Sequence, residues 1–270
     1  MLLCVVPRSR DGDLRLLSSQ LKNSAANKMS TSPATNSKPF TLYTSKLCPY
    51  AHRTELALHE SKQFGNVERV QIDLMKPRDA WFVENYNPSG QVPVLVVNES
   101  KTIVPESAVI ANYVAEVYPE SGLLPDDPLQ RARVRYVIER ALQLILRNYP
   151  SAVFKREAEG VNALYSSLEQ VEKLFNSISA TGPFIFGDKL TLADIATAPF
   201  LARIVAVTDP NLGLISSELI SPSIPERVQT ELPRLREFLD AVKARPSWKD
   251  TFDEEHVRTI TKQKALEIKA

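Results

Sequence analysis

Cys48 is followed at once by Pro49, at the point where a short apolar strand gives way to a helical pattern over residues 49–63. A free thiol loses its proton near pH 8.5 and is a weak nucleophile at neutral pH, and a helix N-terminus lowers that value by stabilising the thiolate. Proline lacks an amide hydrogen and suits a first helical turn, so Pro49 sets Cys48 at the helix start. His52 and Arg53, one turn on, would add positive potential. The competing reading makes Cys48 a small buried residue, the usual fate of a lone cysteine, and spacing does not separate the two. The run is Cys48-Pro49-Tyr50-Ala51, so there is no neighbouring thiol, and an oxidised Cys48 would need an external thiol to release it. Thr191-Leu192-Ala193-Asp194 carries a second pattern, a capping box that opens another helix; Asp194 is read as a folding device, not a catalytic acid.

The elements that would position these residues follow from hydrophobic period. Phe40, Leu42 and Tyr43 predict a strand, and Val70, Ile72 and Leu74 alternate with Arg69, Gln71 and Asp73 as a second. A helix over 79–85 is anchored by Trp81 and Phe82. Strands over 92–97 and 102–104 flank a polar turn at 98–101. Val109, Ile110, Tyr113, Val114 and Val117 then share one helical face. The order βαβαββα has the size of a small α/β domain, residues 39–118. A proline-rich linker (119–128) leads to an all-α region (129–252), with helices over 129–149, along Val161, Leu164, Leu168, Val171, Phe175 and Ile178, after Thr191, and over 231–244. The charged tail 253–270, with Lys262, Lys264, Glu267 and Lys269, reads as a solvated helix.

The 270 residues are 43% hydrophobic and 24% charged, with a formal net charge of +1. A balance so near neutral argues against nucleic acid or an anionic membrane as main partner, and no apolar run approaches the ~18 residues of a membrane span. With only Cys4 and Cys48, a disulfide framework is excluded and a reducing, cytoplasmic setting is expected. Residues 1–38 begin apolar and basic and pass into a Ser/Asn/Thr/Ala tract. Asp11 and Asp13 interrupt the positive face of a mitochondrial transit peptide, so the segment is read as a disordered extension, with Met29 an alternative start.

Three runs in order, TLYTSKLCPYAHR, NPSGQVPVL and PESAVIANYVAEVYPESGLLPDDP, resemble the glutathione transferases, and Cys-Pro-Tyr-Ala resembles the omega class and its fungal omega-like relatives. GDKLTLADIATAPFLARI and LPRLREFLDAVKARPSW match the helical domain of the same superfamily, so the resemblance spans residues 39–251. It implies a thioredoxin-like domain followed by an all-helical one, a homodimer, glutathione as cosubstrate, no tightly bound cofactor and no metal. Cys48 would be the nucleophile. Val92-Pro93 would form a cis bond at a strand end, the Val92 backbone pairing with the cysteinyl part of glutathione; by residues alone it is an ordinary trans proline ending a strand. Glu106 would hold the γ-glutamyl ammonium and Ser107 its carboxylate, and both also read as helix caps. Lys76 would meet the glycine carboxylate, in an interval (74–81) whose length departs from the family pattern. Tyr50 would line the site, where by itself it is a core aromatic.

The activity so implied is thiol transfer or reduction, on dehydroascorbate, glutathionyl mixed disulfides or small ketone-type adducts, with the second substrate between the domains against the 129–149 helix. Two alternatives stand beside it. One is conjugation, in which a hydroxyl (Tyr43 or Ser45) activates glutathione's own thiol. The other is a non-catalytic binding or regulatory module.

Overall fold

The computed structural model describes residues 38–215 and 218–267. The expectations placed on 1–37, among them Cys4, Met29 and the transit peptide, lie outside the described residues.

The N-terminal unit is a four-stranded sheet: β1 (Phe40–Thr44), β2 (Val67–Gln71), β3 (Val94–Val97) and β4 (Thr102–Pro105), in the order β2-β1-β3-β4. Helix α1 (Pro49–Glu60) carries the chain from β1 over to a parallel β2, pairing Tyr43 with Val70; a short hairpin joins the antiparallel β3 and β4. Alternation along the strands then separates two cores. Leu42 and Leu95 join the cluster of α1 and α3 (Ser107–Val117), whereas Tyr43, Val94 and Val96 join Phe82 of α2 (Ala80–Asn85) on the other face. Cys48 belongs to that second cluster.

The C-terminal unit comprises α4 (Pro128–Arg147), a π-helical turn (Ser151–Lys155), α5 (Ala158–Ile178), α6 (Leu192–Val207), α7 (Ile224–Glu231), α8 (Pro233–Ala244), α9 (Pro246–Thr251) and α10 (Glu254–Glu267). Every residue of α6 except Val205 is buried, because it is apolar all round and lies between α1, α4 and the later helices. Among the described residues no helix is long and apolar enough to cross a membrane.

Several local expectations are corrected. β2 ends at Gln71, so Ile72 and Leu74 are buried beyond the strand rather than within it, with the Ile72 amide donating to the Thr44 carbonyl at 2.8 Å. Phe82 is fully buried, worth about 1.5–3 kcal/mol, but its neighbour Trp81 is largely exposed. On α3, Ile110 and Val114 face inward while Val109 and Val117 are exposed, since a run that apolar has more hydrophobic positions than one buried face can use. The tail is a helix, yet Val257, Thr261 and Ala265 are buried, because positions three and four apart turn one face of α10 onto α6.

Candidate active site

Cys48 is the N-cap of α1, with extended φ −84° and ψ 118°; its carbonyl accepts the His52 amide at 3.0 Å, and its own amide donates to the Ser45 carbonyl at 3.0 Å. The side chain bonds to none of the first-turn amides. Its Sγ instead donates to the Val92 carbonyl at 3.6 Å. That contact needs the S–H proton. The expectation of a reachable sulfur is not met: Cys48 is 0% exposed and belongs to a buried cluster with Tyr43, Leu47, Leu74 and Val92, against which Ile260 of α10 packs.

The Val92–Pro93 peptide bond is cis. Before it, Arg78 ties the incoming loop together, its Nε donating to the Gly90 carbonyl at 3.0 Å and one terminal nitrogen to the carbonyls of Asp73 (2.9 Å) and Lys76 (2.7 Å). Gly90 has φ +65°, and a Cβ there would meet the Arg78 side chain at 2.9 Å, so glycine suits the position twice over. Arg78 went unnoticed in the sequence, where it reads as one more surface cation.

Glu106 is exposed and is the N-cap of α3 at φ +69°, a conformation that costs a non-glycine residue of order 1–3 kcal/mol and gathers at functional sites. Ser107 is buried, its Oγ accepting from Arg53 at 3.2 Å. A second Arg53 nitrogen donates to the Ala196 carbonyl of α6 at 3.2 Å. Burial lowers the Arg53 pKa to about 10, and the charges of Tyr50 and Cys48 act against that fall. Arg53 thus supplies the cation the sequence suggested, by a buried route through Ser107.

His52 does not. Burial and the Arg203 charge hold its pKa well below the ordinary 6.5, so the ring is neutral. Arg203 can only donate, hence the 3.1 Å contact makes Nδ1 the acceptor and places the proton on Nε2, which donates to Thr251 Oγ1 at 2.9 Å. Thr251 passes its own proton to the Ser247 carbonyl at 2.6 Å. Arg203 also donates to the Lys46 carbonyl at 3.0 Å, gripping the loop before Cys48. No local pattern reveals this cluster, because its members come from α1, α6 and α9.

Lys76 stands on the surface, 78% of its side chain exposed, 3.5 Å from Asp73. The lysine that reaches this loop from the other domain is Lys264, whose Nζ donates to the Leu74 carbonyl at 3.3 Å. Tyr50 lines a cavity of about 150 Å³ between the domains, its ring 4.9 Å from Phe200, and also packs against the cluster that holds Cys48 and Val92. Ile145, Leu146 and Tyr149 of the α4 end form another wall, Arg203 lies at the floor, and Val257 and Thr261 of α10 complete it.

Residues 47–117 match the family model for the glutathione S-transferase N-terminal domain, and residues 155–241 the model for its C-terminal domain. Mouse glutathione S-transferase omega-1 is 31% identical over 208 residues, 74% of this chain and 84% of that protein. The chain belongs to the omega-class glutathione transferases. Two solved omega structures from Trametes versicolor agree: Omega 1C (29% identity, TM-score 0.73, 86% of this chain and 98% of that one) and Omega 2S in complex with 2,4-dihydroxybenzophenone (27%, 0.69, 84% and 98%). Within this omega-class chain the thioredoxin-like and helical units are as the sequence predicted; Cys48 bonds the Val92 carbonyl, Ser107 bonds Arg53, and the cavity lined by Tyr50 lies between the units. Glu106 caps the same helix as Ser107, whereas Lys76 makes its ion pair within its own loop.

Proposed function

We propose that this protein is a glutathione-dependent thiol transferase with Cys48 as nucleophile. The observation that carries the reading is the opposition, at 3.6 Å, of a sulfur at a helix N-cap and the carbonyl of Val92 at a strand start. A peptide that pairs with the Val92 backbone would take up that carbonyl's interactions and lay its own sulfur beside Cys48. Ser107 and the α3 N-terminus, backed by Arg53, suit the γ-glutamyl carboxylate, and Glu106 suits its ammonium. Lys76, exposed on a loop pinned by Arg78, is proposed for the glycine carboxylate.

With a mixed disulfide G–S–S–R, the Cys48 thiolate attacks the glutathionyl sulfur, expelling RS⁻ and leaving Cys48–S–S–G. A second glutathione thiolate attacks that bond, forming oxidised glutathione and restoring Cys48. With an adduct G–S–CH₂–C(O)R, the same attack expels the enolate, which takes a proton; the carbon is reduced while Cys48 and the former thioether sulfur join as Cys48–S–S–G, which a second glutathione opens to oxidised glutathione. Dehydroascorbate would be reduced at the expense of the same two glutathiones. The mostly apolar cavity walled by Tyr50, Tyr149, Phe154 and Phe200 favours a compact aromatic or aliphatic R, in line with the benzophenone bound by the Trametes relative.

The conjugation reading has less support. Tyr43 is buried in an aromatic cluster, its ring 4.2 Å from Tyr86, and burial together with Tyr86 keeps its phenol protonated far above neutral pH. The exposed apolar residues Val109, Val117, Leu129 and Tyr136 on α3 and α4 are proposed to face a second copy in a homodimer.

Intact mass after incubation with oxidised glutathione tests the chemistry. One added glutathionyl group, absent in Cys48→Ser and removed by reduced glutathione, is expected. No adduct on the native chain, or an equal adduct on Cys48→Ser, overturns it.

A further inference from the structure

Helix α10 packs against the buried cluster that holds Cys48. Its inner face is Val257, Ile260, Thr261, Lys264 and Ala265, the three- and four-residue spacing of one helical side. Val257 and Thr261 wall the interdomain cavity, Ile260 packs against the cluster that contains Cys48, and Lys264 bonds the carbonyl of Leu74, a member of the same cluster. One element therefore borders both the buried cluster that holds the thiol and the cavity in which a leaving group would stand.

Displacement at sulfur needs the attacking, central and leaving sulfurs roughly in line, so the leaving group projects away from Cys48. A nucleophile with 0% exposure offers no such path. Something must retract, and α10 is the lightly held element. Its first turns are tied by ion pairs of the kind worth only about 0–1 kcal/mol each when exposed: Glu254 with Lys243 at 3.9 Å, and the preceding Asp253 with Lys46 at 3.6 Å. Firmer ties are Arg258 to Asp209 at 2.8 Å and the bond from Arg156 to the Ala265 carbonyl. The other walls belong to α1 and α6, whose runs 51–58 and 192–204 are buried throughout. Local openings of this kind are drawn from the least buried parts of a fold.

We propose that α10 is a size-selecting gate, with Ile260 and Lys264 as its specificity residues: it opens far enough to admit compact glutathione adducts and small disulfides to Cys48, and it refuses glutathionylated proteins. The reaction half of this rests on the thiol-transfer reading; the access half does not, and the test separates them.

In a Cys4→Ser background, alkylation of Cys48 is followed by mass with iodoacetamide and with a polymer-linked maleimide. The parent chain reacts with iodoacetamide and resists the polymer. Ile260→Ala combined with Lys264→Ala accelerates both by about tenfold, the effect of shifting the closed–open balance by about 1.4 kcal/mol. In parallel, removal of glutathione from its mixed disulfide with 2-mercaptoethanol is compared with removal from glutathionylated albumin. The parent prefers the small disulfide by at least about tenfold, and the double variant narrows that preference. Unchanged alkylation in the double variant, or equal use of both substrates by the parent, overturns the gate. Accelerated alkylation with no turnover of either substrate by any form leaves the gate standing and removes thiol transfer.

Discussion

Helix α6 begins at Thr191, whose Oγ1 accepts the Ala193 amide at 3.2 Å while Asp194 accepts the Thr191 amide at 2.6 Å and the Ile185 amide at 2.8 Å. Helix α1 begins at Cys48, whose side chain bonds no helix amide and reaches across to Val92. Both starts are buried. At α6 the orphan amides of a helix end are met by a neighbouring side chain, which is how buried polar groups are normally satisfied. At α1 that satisfaction is withheld, and a soft, ionisable atom occupies the place where the helix dipole favours negative charge. One start holds the fold together and the other leaves its capacity for an incoming anion.

The largest expected consequence is the loss of thiol transfer in Cys48→Ser, at least about a thousandfold in kcat/KM, with the unfolding midpoint changed by less than about 1 kcal/mol. If instead Cys48→Ser unfolds the chain or keeps its turnover, the contrast between the two starts disappears. Asp194→Ala is expected to do the opposite: it leaves buried amides unmatched and destabilises by about 3 kcal/mol in urea unfolding, while the fraction that remains folded retains Cys48 reactivity.

The two starts also differ in their pH response. Desolvation outweighs the bonds to Asp194 and pushes its carboxyl up to about 6 from near 3.8. The folded chain then binds that proton more tightly than the unfolded one, so the stabilisation is complete below about 3.8 and is lost as pH rises through about 6. His52 beside Cys48 has its pKa lowered, so its stabilisation is complete above the unfolded 6.5 and is lost as pH falls below it. The opposing slopes flatten the native curve. His52→Gln should make stability climb as pH falls from 6.5 to 5, a difference from the native chain of up to about 1.4 kcal/mol per pH unit; denaturation series at those pH values check it, and parallel curves would show that His52 is not the titrating group. Asp194→Asn should tilt the curve the other way. The smallest effect expected is that of Ser107→Ala, a rise in KM for glutathione of about fivefold with kcat little changed, as for the loss of one hydrogen bond of ordinary strength, about 1 kcal/mol.

Much of this was legible locally. The Cys48-Pro49 step, the Thr191–Asp194 box and the strand and helix order follow from neighbours in sequence, as does the Phe175 seam of α5. Val109 and Val117 were misassigned because hydrophobic period counts apolar positions without saying what stands opposite them. Arg53 was legible as a cation one turn beyond Cys48, but its partners Ser107 and Ala196 were not, since they lie on other elements.

The sequence by itself determined that a cysteine stands at a helix start with no neighbouring thiol in Cys48-Pro49-Tyr50-Ala51, and that an α/β unit precedes a helical one. Tertiary structure alone decided that Cys48 is buried in a cluster against which Ile260 packs, that His52 is neutral, and that Arg203 grips the loop before Cys48. The reason is distance along the chain. Arg203 is 151 residues from His52 and Lys264 is 190 from Leu74, so no local period encodes them; the burial that neutralises one group and covers another arises only when the helices close upon the sheet.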